Sequence, residues 1–418
     1  MLFYWILFIL ALILAVVDRR KTYWYLFGIL FFLAITRGEN VGADLKGIYR
    51  AEFFTIGWNP KTWGISMKQN EIGFNFIIAF FKTFISDYFL VCFNCILGVT
   101  LILYSKFLYK YSKNPSLSLF FMLAFAYYFE CYNGMRQQFC DSILISYVPL
   151  LLLLDKNRNK SIKTNMLMTL YCINRIKNLH ISSFNNSKNE INNMRLFVQF
   201  MYKRMQGTMS RIKHLQLLLL YCLLVIITSF LFHKSQMIFV LLIPILYLYN
   251  TKVCDTKYLL LYLLIAMLLS IPIAQIVQKY FAMTSILFQE DNSNIGGYLA
   301  YDAEFGEYSQ LSNYLNTLFC MYVVFTHRYK RSFFLCLYVF GVILLDTLTP
   351  IFWIFQRIAF VFMFFRVIVY AEMVCDIPNK IERNTFSIAV LIYSIILYNR
   401  RLINDNFQDV VPYESFLF

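Results

Sequence analysis

The polar stretch Glu130–Gln138 lies between two apolar runs and carries side chains suited to binding an anion. The runs at 116–129 and 139–154 are each long enough to cross most of a bilayer, so Arg136 is expected near a membrane face. An arginine at a helix centre costs about 2.5 to 3.5 kcal/mol to insert. Asn133 and two glutamines crowd the same place, and a snorkelling arginine does not need them. We therefore predict that Arg136 binds an anionic group, with interfacial snorkelling as the alternative.

The composition predicts an all-α, polytopic integral membrane protein. The chain is 60% hydrophobic, 19% aromatic and 15% charged, with a mean hydropathy of +0.58, which excludes a soluble domain of this size. Apolar segments near the roughly 20 residues needed to span a bilayer recur along the chain. Because lipid offers the backbone no hydrogen bonds, such segments must be helices. The first, Leu2–Val17, lacks a basic leader and a cleavage site, so we expect it to be retained.

Neither the cysteines nor the net charge indicates a further cofactor or a nucleic-acid partner. The ten cysteines lie mostly in apolar runs, where thiols act as small hydrophobic groups. Cys92 and Cys95 form a CxxC pair, but they have no second pair and no nearby histidine, so no zinc site is predicted. The net charge of +15 is attributed to membrane orientation instead of nucleic-acid binding.

Basic residues set the predicted orientation of the chain. The tetrapeptide Asp18–Lys21 separates the first two spans, and the positive-inside rule places it in the cytoplasm. The segment 37–87 is then an outer loop. Within it, 71–86 is apolar but interrupted by polar residues, and we predict a re-entrant or interfacial helix. If 71–86 crossed instead, every later loop would be inverted and the basic segment 155–214 would face outward.

With that choice the chain is predicted to form one transmembrane domain, 1–418, with about twelve spans. The segment 155–214, rich in Asn, Lys and Ser, is predicted to be a basic cytoplasmic insertion that contacts anionic lipid headgroups. The segment 280–311 is predicted to be a second outer loop. After the first two spans, the predicted spans are 88–104, 116–132, 138–154, 215–231, 236–250, 257–278, 312–326, 332–347, 351–371 and 384–399.

Under this topology the unusual polar residues collect on the outer side. The planar forks of Arg136 and Arg357 suit phosphate oxygens. Asp44 and Asp302 are candidates for a base that deprotonates a sugar hydroxyl, with a solvated loop charge as the alternative for each. No metal site is predicted. The predicted catalytic residues are Asp44, His233 and Asp302, and the predicted substrate-binding residues are Arg37, Glu71, Asn133, Arg136, Gln137, Lys234, Ser235 and Arg357.

Four short motifs occur in order between the predicted spans: Arg37–Asp44 with Tyr49, Glu71–Phe74, Asn133–Gln137 and Phe232–Ser235. In this order and spacing they resemble the EpsG family of Wzy-like polysaccharide polymerases, and the Arg-Gln and His-Lys-Ser pieces are the most specific. Two features depart from that family's pattern. The insertion 155–214 replaces a much shorter connection, and Ala43 stands where a threonine or similar residue is common.

The resemblance implies a GT-C-like glycosyltransferase of the bacterial inner membrane, active in O-antigen, capsule or exopolysaccharide biosynthesis. It would join polyprenyl-pyrophosphate-linked oligosaccharide repeats on the periplasmic or exterior side, with no cofactor. Arg136 and Arg357 would neutralise the leaving pyrophosphate. Membrane lipids and a chain-length regulator are the implied partners, and His233 would assist the leaving group or orient the acceptor.

Two other functions fit the same residues. A transporter or flippase of lipid-linked oligosaccharide also uses many helices with buried polar groups, although such proteins tend to carry inverted repeats and polar sites near the midplane. A glycan ligase that uses the same donor differs from a polymerase only in its product.

Overall fold

The computed structural model describes residues 2–17, 20–42, 44–59, 71–153, 215–249, 254–288, 310–327, 332–349, 354–404 and 410–415. Within these ranges the regular structure is helical, apart from one isolated antiparallel bridge between Arg37 and Ser415. The chain forms two compact units, 1–145 with 228–418, and 146–227. The predicted insertion 155–214 lies outside the described residues, as does most of the predicted loop 280–311.

The helices follow the apolar runs of the sequence. A π-helical turn, Leu45–Tyr49, precedes α3, a 3-10 segment, Lys234–Leu241, precedes α10, and a π-helical turn, Asn399–Asn404, follows α16. The helices are α1 Leu2–Val17, α2 Tyr23–Ile35, α3 Arg50–Thr55, α4 Ile72–Phe84, α5 Phe89–Tyr111, α6 Pro115–Ala124, α7 Tyr127–Asn133, α8 135–153, α9 Leu215–Phe232, α10 Leu242–Tyr249, α11 Thr256–Phe288, α12 Gln310–Thr326, α13 Phe333–Leu348, α14 Ile354–Met363, α15 Arg366–Asp376 and α16 Lys380–Tyr398.

These helices make the chain a membrane-embedded protein. In the described part of the chain, four stretches are long and apolar enough to cross a bilayer: Phe89–Tyr111, Leu215–Phe232, Gln356–Asp376 and Lys380–Leu402. Seven further apolar helices are shorter, between 10 and 17 residues. The total of twelve spans stays a prediction.

Several predicted spans differ from the helices found. The span 236–250 begins as the 3-10 segment and is α-helical only from Leu242, and the span 88–104 is shorter than α5, which ends at Tyr111. The span 116–132 is divided into α6 and α7, because Ala126 adopts a left-handed conformation with φ of 65°. The span 351–371 is divided at Phe364 and Phe365, between α14 and α15. The span 257–278 is longer than predicted, because α11 continues through its polar residues to Phe288. The end of an apolar run in the sequence does not mark the residue at which the backbone hydrogen bonding of the helix ends.

Helix α2 separates two ends of the first unit, which we name the Thr22 end and the Arg37 end. At the Thr22 end, the Thr22 hydroxyl donates to the Leu14 carbonyl at 2.6 Å, and Lys113 forms an ion pair with Asp376. Asn114 caps α6 by accepting from the Leu117 N–H at 3.1 Å, ahead of a proline at the first helical position. Loops that are far apart in sequence therefore meet at this end.

The Arg37 end is closed by residues 410–415, here called the 410–415 strap. The Gly38 N–H donates to the Glu414 carbonyl at 2.7 Å, and the Asn40 side chain donates to the Glu414 carboxylate at 2.7 Å. The Tyr413 hydroxyl donates to the Leu33 carbonyl at 2.6 Å. The strap thus pairs with the segment that leaves α2.

Helix α4 has both of its ends at the Arg37 end. Glu71, just before the helix, contacts Arg136, and Lys82 in its last turn donates to the carbonyls of Phe53, Phe54 and Ile56 at 2.9 to 3.2 Å. Beyond the helix, the Tyr88 hydroxyl donates to Glu39 at 2.8 Å. The helix has 13 residues and is about 20 Å long. Whether 71–86 crosses the membrane stays a prediction.

Candidate functional site

Arg136, in the first turn of α8, is the centre of a buried charge network at the Arg37 end. Its Nη1 lies 3.1 Å from Glu52 Oε1 and 3.3 Å from Glu71 Oε2. The three side chains are 11%, 3% and 8% exposed, so the pairs are largely shielded from water. Both ion pairs use the same nitrogen, Nη1, and the side chain also hydrogen-bonds to Tyr49. The two carboxylates therefore do not occupy the edge formed by Nε and Nη2.

Glu71 joins this network to His233. Its Oε1 lies 2.6 Å from His233 Nδ1, while its Oε2 faces Arg136. His233 stands between α9 and the 3-10 segment, and its Nε2 has no hydrogen-bond partner in the described part of the chain. Gly73 allows this approach, because a Cβ there would lie 2.9 Å from Leu231 Cβ and 3.0 Å from the Leu231 carbonyl oxygen. The start of α4 and the end of α9 are thus in direct contact.

Two aromatic rings, those of Tyr49 and Phe74, lie against the Arg136 guanidinium. The central carbon of the guanidinium is 5.6 Å from the Tyr49 ring centroid and 6.0 Å from the Phe74 ring centroid. Both rings pack into an apolar core with Phe93 and Met135. A cation over an aromatic face is stabilised by about 0.5 to 2 kcal/mol, depending on how far it is desolvated. The two rings therefore stabilise the arginine side chain and exclude water from one face of its guanidinium.

Arg37, predicted to bind substrate, is completely buried and bound by protein groups. Its Nε donates to Asn94 Oδ1 at 2.9 Å, its Nη1 donates to the Tyr132 carbonyl at 2.7 Å, and its Nη2 contacts Met135 Sδ at 3.1 Å. The Asn94 amide donates in return to the carbonyls of Ile35 and Arg37. Arg37 therefore holds the 130–136 stretch in place, and its role in substrate binding stays a prediction.

Asn133 and Asp44 hold the outer loop against α7. Asn133 Oδ1 accepts from the Asp44 backbone N–H at 3.3 Å, and the positive φ of Gly42 (108°) brings its Cα close to the same oxygen. Burial raises the pKa of the Asp44 carboxyl, while Arg357 and Arg136 nearby lower it. Asp44 thus lies within electrostatic range of both arginines that were predicted to bind pyrophosphate.

The other predicted site residues are spread around this network. Arg357 is exposed on α14, and Lys234 and Ser235 are exposed on the 3-10 segment, where Lys234 Nζ lies 5.6 Å from the Phe230 ring centroid. Gln137 is half-buried and makes no hydrogen bond to the described residues. Asp302 lies outside the described residues. Asp346, on α13, accepts a hydrogen bond from the Thr317 hydroxyl at 2.7 Å.

Two charged contacts at this end were not predicted from the sequence. Glu52 shares Arg136 with Glu71, and burial raises its pKa, as do Glu71 and Asp44, while Arg136 lowers it. Glu130 pairs with Arg401, 3.3 Å apart. One feature of the sequence could have indicated that Glu52 is buried. Its carboxylate comes directly before two phenylalanines, in a segment otherwise rich in glycine and charged residues.

The comparisons with known proteins assign the chain to a family. The EpsG family model matches residues 21–173 and 210–415, which is most of the chain. The chain belongs to the EpsG family. Searches of curated proteins and of solved structures return no match. The interval between the two EpsG ranges, 174–209, falls inside the predicted insertion, and Arg37, Glu71, Arg136 and His233 all fall inside the ranges.

EpsG membership gives the chain a polysaccharide polymerase-like function in exopolysaccharide biosynthesis, of the glycosyltransferase kind. The resemblance drawn from the four short motifs is confirmed by this match. Three of those motifs meet at the Arg136 network, since Glu71, Arg136 and His233 come from different motifs.

Proposed function

We propose that the protein is a polymerase that joins polyprenyl-pyrophosphate-linked oligosaccharide repeats at the outer face of the bacterial inner membrane. The observation that carries the proposal is the buried network of Glu52, Arg136, Glu71 and His233, built from family motifs at one end of a helical unit. The growing glycan is the donor, its pyrophosphate lipid leaves, and a hydroxyl of the next lipid-linked repeat attacks. The lipid substrate is an undecaprenyl-type carrier.

The proposed pyrophosphate ligands are Arg136 and Arg357. Nη1 of Arg136 holds both carboxylates, which therefore do not occupy the edge formed by Nε and Nη2, and such an edge donates to two phosphate oxygens in parallel. Arg357 is exposed and within electrostatic range of Asp44, as Arg136 is. Negative charge develops on the pyrophosphate as its bond to the sugar breaks, so fixed cations stabilise the transition state more than the bound substrate.

In the proposed orientation, the Arg37 end faces the periplasm or exterior. Basic residues at the Thr22 end support this, because Arg20 lies over the Tyr109 ring there and Lys113 is at the same end. Cytoplasmic loops carry the excess of Lys and Arg in membrane proteins. A chain-length regulator in the same membrane is the proposed protein partner.

A deletion strain tests the proposal through the glycans on its surface. Complementation with the wild-type gene is expected to restore a ladder of polymer lengths on a gel. Without it, a single capped repeat is expected to remain, because repeats are still made and exported. Loss of all surface glycan would indicate a transporter or a ligase and would reject the polymerase. The purified protein in nanodiscs, given a polyprenyl-pyrophosphate oligosaccharide, is expected to lengthen it.

A further inference from the structure

The contact between Glu71 and His233 points to a specific division of labour, which rests on the proposed function. We propose that His233 is the general base that deprotonates the acceptor hydroxyl and that Glu71 is the residue that positions it. This assigns Glu71 to the acceptor half of the reaction and leaves the pyrophosphate to the arginines.

The geometry selects one imidazole nitrogen. Nδ1 of His233 is 2.6 Å from Glu71 Oε1, so it carries the proton when the ring is neutral. Nε2 is then the basic nitrogen, and no described group occupies it. The His233 side chain is 26% exposed, whereas Glu71 is 8% exposed. The ring therefore reaches the open side of the site while its orienting carboxylate stays buried.

Glu71 is fixed more firmly than a loop carboxylate. Its second oxygen lies 3.3 Å from Arg136 Nη1, and the contact of Gly73 with Leu231 holds the start of α4 against the end of α9. The charged groups facing His233 are thus Glu71 directly, Arg136 behind it, and Lys234 next in the chain. A carboxylate in contact with an imidazole orients the ring and stabilises the imidazolium that forms when the ring accepts a proton.

The other carboxylates of the network are less suited to this step. Glu52 pairs with the same Arg136 nitrogen as Glu71, but among the described residues it makes no contact with His233. Asp44 lies within electrostatic range of Arg136 and Arg357, on the side proposed for the pyrophosphate. A base placed there would be close to the leaving group and away from the incoming hydroxyl.

The proposed step conserves atoms and charge. Nε2 of His233 takes the proton of the acceptor hydroxyl, and the hydroxyl oxygen forms a bond to the anomeric carbon of the donor sugar. The bond between that carbon and the pyrophosphate oxygen breaks, and its electron pair leaves with the pyrophosphate. His233 later releases its proton to water.

Kinetics of the full-length protein in nanodiscs, with a polyprenyl-pyrophosphate oligosaccharide as substrate, test the assignment. Glu71→Gln is expected to lower kcat by about 100-fold or more, the range that general-base catalysis contributes, with the KM for the donor little changed. The acid limb of its kcat/KM profile is expected to move to lower pH, because the amide no longer stabilises the imidazolium. Glu39→Gln is the control: it removes an exposed carboxylate that pairs with Arg50 outside the Arg136 network, and it is expected to keep the wild-type limb.

The outcomes separate the two proposals. A wild-type protein that lengthens no glycan rejects the proposed function, whatever the variants do. An active wild type for which Glu71→Gln keeps its rate and its acid limb rejects the dyad alone. If Glu71→Gln does not accumulate, His233→Gln decides: loss of the acid limb supports the dyad, and an unchanged limb overturns it.

Discussion

At Arg136, one guanidinium nitrogen holds two buried carboxylates, and neither carboxylate uses the edge formed by Nε and Nη2. The arginine therefore has two roles that a substitution can separate. Ion pairing through a single nitrogen needs only a positive charge, which lysine also supplies. Gripping two phosphate oxygens needs the planar fork, which lysine lacks.

Arg136→Lys is accordingly expected to accumulate at the wild-type level but to shorten or abolish the glycan ladder, nearly as severely as Arg136→Ala. The lost contact is worth about 1.5 to 3 kcal/mol, since it is a hydrogen bond to a charged group. That corresponds to roughly tenfold to more than a hundredfold in rate if the contact strengthens in the transition state. Complementation of a deletion strain, with membrane protein quantified by blot, measures both effects.

Arg50→Lys is the control for this exchange, because Arg50 belongs to the same outer loop but pairs with Glu39 in an exposed contact at 3.2 Å. Exposed pairs contribute about 0 to 1 kcal/mol, so its ladder is expected to match the wild type. A wild-type ladder from Arg136→Lys would show that Arg136 only pairs with carboxylates.

Asp44→Asn is expected to stabilise the protein increasingly as the pH rises. Burial raises the Asp44 pKa in the folded protein, so the folded state holds this proton more tightly than the unfolded state does. The wild type therefore loses stability as the pH rises from about 4, the ordinary carboxyl value, through the raised pKa. The asparagine variant has no such proton. Thermal midpoints of both proteins in nanodiscs across this range measure the difference, and a gap that narrows with rising pH would contradict the assignment.

The proximity of three site residues was predictable from the sequence, because Arg136, Glu71 and His233 lie in motifs that were expected on one side of the membrane, and the structure brings them together. The protein contacts of Arg37 were not predictable, because a buried arginine that binds carbonyls has the same local pattern as one that binds substrate. Glu52 was missed because its partner is far away in sequence, and a loop carboxylate alone does not indicate burial.

Breaks within a helix are difficult to predict from the sequence. The run 116–129 is mainly apolar, yet Ala126 adopts a left-handed conformation that costs a non-glycine residue about 1 to 2 kcal/mol. The surrounding tertiary contacts must compensate for that cost, since α6 and α7 are buried throughout. No local pattern predicts such a break, whereas the start of α6 has a local cause in the Asn114 cap and the proline that follows it.

Gly73 lies at the contact between α4 and α9, so a larger residue at this position tests whether that contact matters for the site. Gly73→Ala is expected to separate the two helices, because its Cβ would lie 3.0 Å from a backbone carbonyl oxygen that cannot rotate away. Overpacking of this kind costs about 1 to 3 kcal/mol, and here it also lengthens the contact between Glu71 and His233. Polymerase activity per unit of folded protein is expected to fall at least about tenfold, because losing one hydrogen bond to a charged group lowers the rate by about that factor.

Gly28→Ala supplies the comparison, since Gly28 is also helical and no atom would come within 4 Å of its added Cβ. It is expected to retain wild-type activity. Equal activity in the two alanine variants would show that the approach of α4 to α9 does not matter for the site.

The first unit has polar groups of different kinds at its Thr22 end and its Arg37 end, and the predicted topology places these ends on opposite sides of the membrane. Helix α4 returns to the Arg37 end at both of its termini, so the segments that follow keep the orientation assigned to them if 71–86 does not cross. Sequence alone left this open, because a short apolar run interrupted by Asn75 and Lys82 is compatible with either a short span or an interfacial helix.

Ser161→Cys and Ser187→Cys, placed in a background without other cysteines, test this orientation. Both positions lie in the segment predicted to be cytoplasmic, so a membrane-impermeant thiol reagent is expected to label them only after the cells are opened. A cysteine at position 59, in the outer loop, is expected to react in intact cells and serves as the control. Labelling of both serine positions from outside would invert the topology and remove the argument for an exterior site.

The 410–415 strap ties the order of assembly to the site. Asn40 and Glu414 are separated by 374 residues, yet they hydrogen-bond beside the arginine that holds the 130–136 stretch. Contacts between such distant parts of a chain form late, because the loop between them must be closed first. While the helices enter the bilayer one after another, the first third of the chain already holds Arg136 and Glu71 but lacks the strap that pairs with Gly38 and Asn40. The Arg37 end is therefore completed only at the end of synthesis, when the last residues of the chain reach it.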